Sequence, residues 1–251
     1  MTRPVVSVSQ NLWTEPFHLQ VGRSQIYGHT LVNVQGYNVA QHTNFRAVWE
    51  NSNTTDYVYP SASVAMTFES TATETLTMTV FGLDASYAVK TAVVTFTAGT
   101  TGTVTTGTSS FFRINAMQVT SGANAGTITA KNSTVTYAQI AIGLGRSQAS
   151  IYTVPAGYTF YLIRAQAFTT NNGTQYCTYR VWSQTFPSGV ATPNIVLTAP
   201  FAQNYTSTRV TPRGYPEKTD IQWQLMQSNV APGSIQLEGI LIQNERPDGN
   251  G

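Results

Sequence analysis

Hydrophobic and polar residues alternate along much of the chain with a period of two. Between residues 73 and 81, Leu76, Met78 and Val80 take every second position, and threonines lie between them. Successive side chains of a β-strand point to opposite faces of a sheet, so this alternation predicts a strand with one buried face. Comparable patterns predict strands at 89–97, 112–117, 126–130, 135–142, 150–154, 158–168, 175–184, 194–198, 220–227 and 233–243.

Turn residues separate the predicted strands. Pro155 has a fixed φ and Gly157 adopts positive φ readily, so Pro155-Ala156-Gly157 predicts a turn. The sequence 171–173, Asn-Asn-Gly, is typical of a tight hairpin. No stretch shows the 3.6-residue period of an amphipathic helix of useful length. We therefore predict an all-β chain with an antiparallel sandwich or jelly-roll arrangement.

Breaks in the pattern suggest a division of the chain. Glycines and polar residues at 143–146 predict one β-sandwich domain over 46–145 and a second over 146–243, although one elaborate double sheet fits nearly as well. Residues 1–45 are rich in Gln and Asn, with scattered aromatic side chains. They predict either an extended N-terminal arm across a neighbouring subunit or a first strand of the chain's own sheet. Residues 244–251 are polar and predict a loose tail.

Charge is scarce and unevenly distributed. Charged residues make up 10% of the 251 residues, whereas soluble domains average roughly 25%, and 39 threonines supply much of the polar character. Residues 85–216 contain eight bases and no acid, and the segments 1–84 and 217–251 each have a net charge of −3. Cations are seldom buried without a partner. We expect these bases to pair with acids of the chain's ends, to pair between copies, or to face an acidic partner.

An electropositive docking face is one interpretation of these bases. Its candidate residues are Arg113, Arg146, Arg164 and Arg180. The bases are spread along the chain, whereas phosphate binding needs a concentrated patch, so nucleic acid is not the expected partner.

Aromatic residues crowd around two predicted hairpins. Tyr158, Tyr161, Tyr179 and Trp182 are candidates for stacking on a sugar ring, as at a receptor-binding tip. Alternation places Tyr158 and Phe160 on one face of a strand and Tyr161 on the other, which favours a packing role for most of these rings.

Patterns typical of catalysis or metal binding are weak. His18, His29 and His42 have spacings that suit no helix-borne metal pair, and we predict surface or capping roles for them. Cys177 is the one cysteine, and we predict a buried packing thiol. No pair stands out among the carboxylates considered for sugar hydrolysis, which are Glu50, Asp56, Glu69, Glu74, Asp84, Glu217, Asp220 and Glu238. We predict a non-enzymatic protein without cofactor or metal.

Several segments, in the same order, resemble a family of virion structural proteins of marine and cyanobacterial tailed phages. They span roughly residues 47 to 165, and the C-terminal third matches less clearly. The segments are Ala47–Glu50, Tyr57–Pro60, Val80–Asp84 with Tyr87, Phe111–Asn115, Asn124–Thr129, Ser150–Gly157 and Tyr161–Leu162.

The resemblance implies a β-rich virion component in many copies, with symmetric assembly and no cofactor or catalytic residues. The first hypothesis is a capsid-associated decoration, or cement, protein that binds itself as a homo-oligomer and binds the major capsid protein. The alternative is a tail, neck or fibre component that contacts a host glycan. A hydrolase of surface polysaccharide is a third hypothesis. The N-terminus lacks a secretory-signal pattern and no apolar run reaches about 18 residues, so we expect assembly in the host cytoplasm without a membrane.

Overall fold

A computed structural model describes residues 15–51, 56–97, 102–104, 110–170, 176–185 and 192–244. In these residues the chain forms a short helix, α1 (Phe17–Gly22), and eighteen strands. The strands are β1 (His29–Gln41), β2 (Arg46–Ala47), β3 (Val64–Ala65), β4 (Thr67–Ser70), β5 (Leu76–Leu83), β6 (Val89–Phe96), β7 (Gly102–Val104), β8 (Ser110–Phe111), β9 (Arg113–Ser121), β10 (Ile128–Asn132), β11 (Val135–Ile140), β12 (Ile151–Thr153), β13 (Tyr158–Thr169), β14 (Cys177–Thr185), β15 (Thr192–Phe201), β16 (Asn204–Tyr215), β17 (Thr219–Gln227) and β18 (Ala231–Gln243). The prediction of an all-β antiparallel sandwich is confirmed.

Two sheets pack face to face and form what we call the main sandwich. One sheet has the strand order β1-β18-β13-β16, and the other has the order β12-β17-β14-β15, with β2 also pairing with β17. Alternate side chains of these strands enclose one hydrophobic cluster, in which Phe160, Tyr179 and Trp223 are fully buried. The period-two pattern of the sequence therefore corresponds to one core face on each sheet.

A smaller sandwich is inserted between β2 and β12, and we call it the inserted sandwich. Its sheets have the orders β11-β10-β4-β7 and β6-β5-β9, with the short pair β3-β8 beside them. They enclose a separate cluster that includes the fully buried Phe68, Met78, Phe96 and Met117. The alternating stretch 73–81 supplies β5, the central strand of its three-stranded sheet.

The N-terminal region lies in the main sandwich from residue 29 onward. Strand β1 pairs with β18 from His29 opposite Ile242 to Gln41 opposite Ala231. Val34 and Val48 belong to the same cluster as residues 152–241. Of the two alternatives for residues 1–45, this register favours a strand of the chain's own sheet, whereas residues 1–14 lie outside the described residues. The main cluster therefore combines residues from before position 49 with residues after position 151, and the second cluster lies within 66–140.

The chain leaves and re-enters the main sandwich at one tightly packed point. The Ser150 hydroxyl accepts a hydrogen bond from the Val48 N–H (2.8 Å) and donates one to the Trp223 carbonyl (2.5 Å). A Cβ at Gly36 would lie 2.2 Å from the Val48 carbonyl oxygen and 2.7 Å from the Ser150 Cβ. Only glycine therefore lets β1 pass this close to the crossing point.

Some local predictions met different outcomes. The turn at Pro155 is confirmed, because Tyr158 N–H donates to its carbonyl (3.3 Å) and Gly157 has a φ of 78°. Helix α1 follows Pro16 and was not predicted, because six residues are too few to show a helical period. The hairpin signal at 171–173 and residues 245–251 of the tail predicted at 244–251 lie outside the described residues.

Candidate functional site: a buried ion pair and the surfaces around it

Arg113 and Asp220 form a buried, two-pronged ion pair. Arg113 lies in β9 of the inserted sandwich, and Asp220 lies in β17 of the main sandwich. The Arg113 Nε donates to the Asp220 Oδ1 (2.8 Å), and the Arg113 Nη2 donates to the Asp220 Oδ2 (2.7 Å). The side chains are 3% and 1% exposed. This planar, bidentate geometry is the strongest form of the arginine–carboxylate interaction.

Three further hydrogen bonds engage this pair. The Arg113 Nη1 donates to the carbonyls of Pro60 (2.9 Å) and Phe112 (2.8 Å), and the Thr153 hydroxyl donates to the Asp220 Oδ1 (2.6 Å). Burial lowers the pKa of Arg113, but the hydrogen bonds and charge of Asp220 outweigh burial and raise it above its ordinary value. Arg113 is therefore a permanent buried cation.

Aromatic rings surround the guanidinium of Arg113. Its Cζ lies 3.9 Å from the ring centroid of Phe112, 4.8 Å from that of Tyr59 and 5.7 Å from that of Tyr87. Rings at such distances stabilise a cation through their electron-rich faces, more so where water is excluded. We call the contact region of the two sandwiches around Arg113 and Asp220 the seam.

Further polar contacts hold the seam together. Asn115 of β9 exchanges two hydrogen bonds with the backbone of Thr153 in β12, at 3.0 and 2.9 Å. The Ala156 N–H donates to the Tyr87 carbonyl (2.9 Å), which joins the β12–β13 turn to the β5–β6 turn. The seam is thus a specific junction with one preferred orientation.

The structure corrects the predicted docking face at Arg113. Since Arg113 is 3% exposed and bonded to Asp220, it pairs within the fold and cannot meet a partner surface. Of the alternatives considered for the bases of residues 85–216, the structure shows pairing with an acid from the C-terminal segment at this position.

The other three arginines of that prediction do not share one surface. Arg164 lies in β13 of one sheet and Arg180 in β14 of the other, and each arginine is adjacent along its strand to at least one residue that points into the core. The two arginines therefore lie on opposite outer faces of the main sandwich. The Arg180 side chain donates to the Gln224 Oε1 and lies 3.9 Å from the Phe45 ring centroid. Arg146 lines a groove of about 440 Å³ between β1 and the β5–β9 pair, where its Nη2 donates to the Asn33 carbonyl (3.3 Å).

The four aromatic candidates for sugar stacking are also dispersed. Tyr179 is fully buried in the main core, where it stacks on Tyr205 with ring centroids 4.9 Å apart, so it cannot reach a ligand. Tyr158 packs against the same core. Tyr161 and Trp182 lie on the outer faces of different sheets, so no common platform forms.

Trp182 belongs to a series of aromatic contacts that passes beside the seam. Its ring stacks on Tyr59 at 6.5 Å, Tyr59 contacts Tyr57 edge-on at 5.0 Å, and Tyr57 contacts Trp49 at 5.3 Å. Tyr59 also faces Arg113. The role of Trp182 that the contacts show is packing at the edge of the seam.

One buried carboxylate and one partly buried carboxylate besides Asp220 serve the fold. Glu74 is 1% exposed and accepts hydrogen bonds from the Ser70 hydroxyl (2.8 Å) and the N–H groups of Ala125 (3.0 Å) and Gly126 (2.7 Å). Glu50 accepts one from the Gln148 N–H (3.0 Å), while its Oε2 is buried without a hydrogen-bond partner among the described residues. Burial raises the pKa of Glu50 to about 8.

The sequence contained a signal for Asp220 but none for its partner. Strand β17 is buried along nearly its whole length, and a carboxylate within such a strand requires a cation or several donors. Nothing in the order of residues pairs it with Arg113, which is 107 positions away.

The cysteine and the histidines take structural positions. Cys177 is fully buried, as predicted, and burial raises the pKa of its thiol to about 12. His29 hydrogen-bonds the Tyr27 carbonyl (2.8 Å), and His42 accepts from the Asn44 N–H (2.9 Å).

Among the described residues, no three His, Cys, Asp or Glu side chains lie close enough together to hold a metal ion. Within the same residues, no helix has the length and apolar character needed to span a membrane.

Comparison with known proteins gives distant similarity only. No model of a protein family matches the chain, and no curated protein matches it significantly. The structure of the Gx strain of infectious bursal disease virus overlaps at 12% identity over 95% of this chain and 79% of the other, with a TM-score of 0.23. The VP2 subviral particle of the same virus overlaps at 13% identity over 94% and 79%, with a TM-score of 0.22. Overlap at this level does not establish a shared fold.

Substitutions of the buried ion pair should be costly. Arg113→Met or Asp220→Asn leaves the other group buried without its partner, so each should lower the free energy of unfolding by about 3–5 kcal/mol. Arg113→Met combined with Asp220→Leu should recover much of the loss, because no unpaired charge remains. The control Arg164→Met, at a half-exposed ion pair, should cost less than about 1 kcal/mol. Urea unfolding followed by circular dichroism measures all four, and equal effects at the two ion pairs would contradict the seam.

Stability should fall as the pH rises past the ordinary pKa of Glu50. Between about pH 4.5 and pH 8 the folded protein keeps a proton on Glu50 that the unfolded chain has released, so the loss approaches about 1.4 kcal/mol per pH unit at most. Glu50→Gln should abolish this part of the slope, and Glu217→Gln, at an exposed site, should keep it. Urea midpoints measured across that range decide the matter, and an unchanged slope in Glu50→Gln would refute the assignment.

Proposed function

We propose that this chain is a structural component of a tailed-phage virion. The observation that carries the proposal is that several of the segments resembling the phage family meet at the seam. They supply the residues around the ion pair, namely Tyr59, Pro60, Tyr87, Phe112, Arg113 and Thr153. The resemblance therefore rests on the part of the molecule that fixes the two sandwiches relative to each other.

The specific role that we propose is a capsid-associated decoration, or cement, protein. Such a protein binds across junctions between capsid subunits and opposes the pressure of packaged DNA, which requires a body that does not deform. A buried bidentate ion pair with closed hydrogen bonding, set between two β-sandwich cores, supplies that rigidity. Scarce charge on the surface also suits permanent docking through hydroxyl and amide groups.

We propose further that the protein is not an enzyme. The carboxylates Asp220 and Glu74 are each 1% exposed and accept hydrogen bonds from neighbouring groups of the fold, so neither is accessible to a substrate. Their roles are structural in this proposal. A polysaccharide hydrolase would need two carboxylates facing one cleft.

The alternative role, in a tail, neck or fibre that contacts a host glycan, has less support. Its predicted stacking residues are either buried, as Tyr179 is, or separated on opposite faces, as Tyr161 and Trp182 are. Sugar recognition by stacking needs rings on one accessible surface.

The copy number in purified particles tests the proposed role. Quantitative mass spectrometry against the major capsid protein should give about one chain per capsid subunit, or one oligomer per capsomer. A ratio in the low per cent range would move the protein to the tail or neck. Absence of the chain from purified particles would refute the virion assignment altogether.

A further inference from the structure

The sheet β1-β18-β13-β16 has an outer face that the described part of the chain leaves open. Strand register arranges its outward residues in three rows across the four strands. The first row is Asn33, Glu238, Arg164 and Thr208, the second is Gln35, Gln236, Gln166 and Thr206, and the third is Tyr37, Ser234, Phe168 and Asn204. We call these twelve positions the row face. Helix α1 bounds it at one end, where Gly22 lies beside Leu31.

The row face is polar but contains few charges. Its twelve positions contain one acid and one base, and the others are amides, hydroxyls and two aromatic rings. Tyr37 is 39% exposed and Phe168 is 37% exposed. Open sheet surfaces of soluble proteins usually contain several charges that discourage association, and this face has only one of each sign.

Its two charges have capacity for a further partner. Arg164 and Glu238 lie side by side with a closest N–O distance of 3.8 Å, too long for a hydrogen bond, and their side chains are 41% and 56% exposed. By contrast, the Arg113–Asp220 pair is buried and its closest N–O distance is 2.7 Å. An adjacent acid and base on the two middle strands of a face are self-complementary, because a second copy presents the same two groups.

We propose that the row face binds the row face of a second copy of this chain. A two-fold axis that runs along the strands between β18 and β13 places Arg164 of one copy opposite Glu238 of the other, and the reverse. The same rotation places Tyr37 opposite Asn204 and Phe168 opposite Ser234, so that large side chains meet small ones. Gln236 then meets Gln166, and paired amides satisfy each other.

The size of the row face predicts a weak dimer. Four strands about 4.8 Å apart and three rows about 7 Å apart outline roughly 400 Å² per copy, below the roughly 800 Å² per partner of a standard interface. We therefore expect association that depends on concentration. The biological role of this contact rests on the proposed function, because weak contacts that are repeated over a particle add up through avidity.

A charge-swap experiment tests the contact directly. Arg164→Glu alone places two glutamates opposite each other in the dimer, and Glu238→Arg alone places two arginines opposite each other. Each variant should therefore self-associate at least about tenfold more weakly than the natural chain, because like charges repel across the contact. An equimolar mixture of the two variants restores both opposite-charge contacts and should form a mixed dimer. Sedimentation velocity from about 1 to about 500 µM measures self-association, and one fluorescently labelled variant reports the mixed species.

A matched pair on the inserted sandwich serves as the control. Lys131 and Glu69 form a cross-strand ion pair whose side chains are 30% and 29% exposed. This pair lies away from the row face, so Lys131→Glu and Glu69→Lys should leave self-association unchanged. Far-ultraviolet circular dichroism verifies that all four variants are folded. The proposal would be overturned if the natural chain is monomeric over this concentration range. It would also be overturned if Arg164→Glu and Glu238→Arg self-associate as the natural chain does, or if their mixture stays monomeric. None of these outcomes alters the copy number in particles, which tests the proposed function separately.

Discussion

The arrangement of the molecule depends on one buried ion pair. Removing two charges from water is unfavourable, and their attraction compensates for this only when geometry and hydrogen bonding are nearly complete. Arg113 and Asp220 meet that condition through two parallel hydrogen bonds, the Thr153 hydroxyl, two carbonyl oxygens and three aromatic rings. Because such a pair tolerates little displacement, it fixes the orientation of the inserted sandwich on the main one.

The ion pair joins two sandwiches that the chain does not build one after the other. The main sandwich takes β1 and β2 from the start of the chain and β12 to β18 from its second half. The inserted sandwich is anchored at the crossing of Val48 and Ser150 and again at the seam. Two attachment points, one covalent and close-packed and one electrostatic, join the two hydrophobic clusters into a single body.

Local pattern predicted much of this fold, whereas pairing at long range was not readable. Alternation correctly separated the buried Phe160 from the outward Tyr161, and it placed Leu76, Met78 and Val80 in a core. It could not show that β1 pairs with β18, because register depends on packing between distant segments. The absence of acids between residues 85 and 216 indicated that Arg113 needs either a distant acid or a partner. The residue type alone does not distinguish a surface cation from one that pairs with an acid far along the chain.

The seam should make both sandwiches unfold as one unit. Native-state hydrogen exchange in increasing denaturant tests this coupling by comparing amides of β10 in the inserted sandwich with amides of β17 in the main sandwich. The structure predicts that the slowest amides of both strands exchange with the same opening free energy and the same dependence on denaturant. If the amides of β10 exchange through an opening of lower free energy while those of β17 remain protected, the coupling is contradicted and the two sandwiches are independently stable domains.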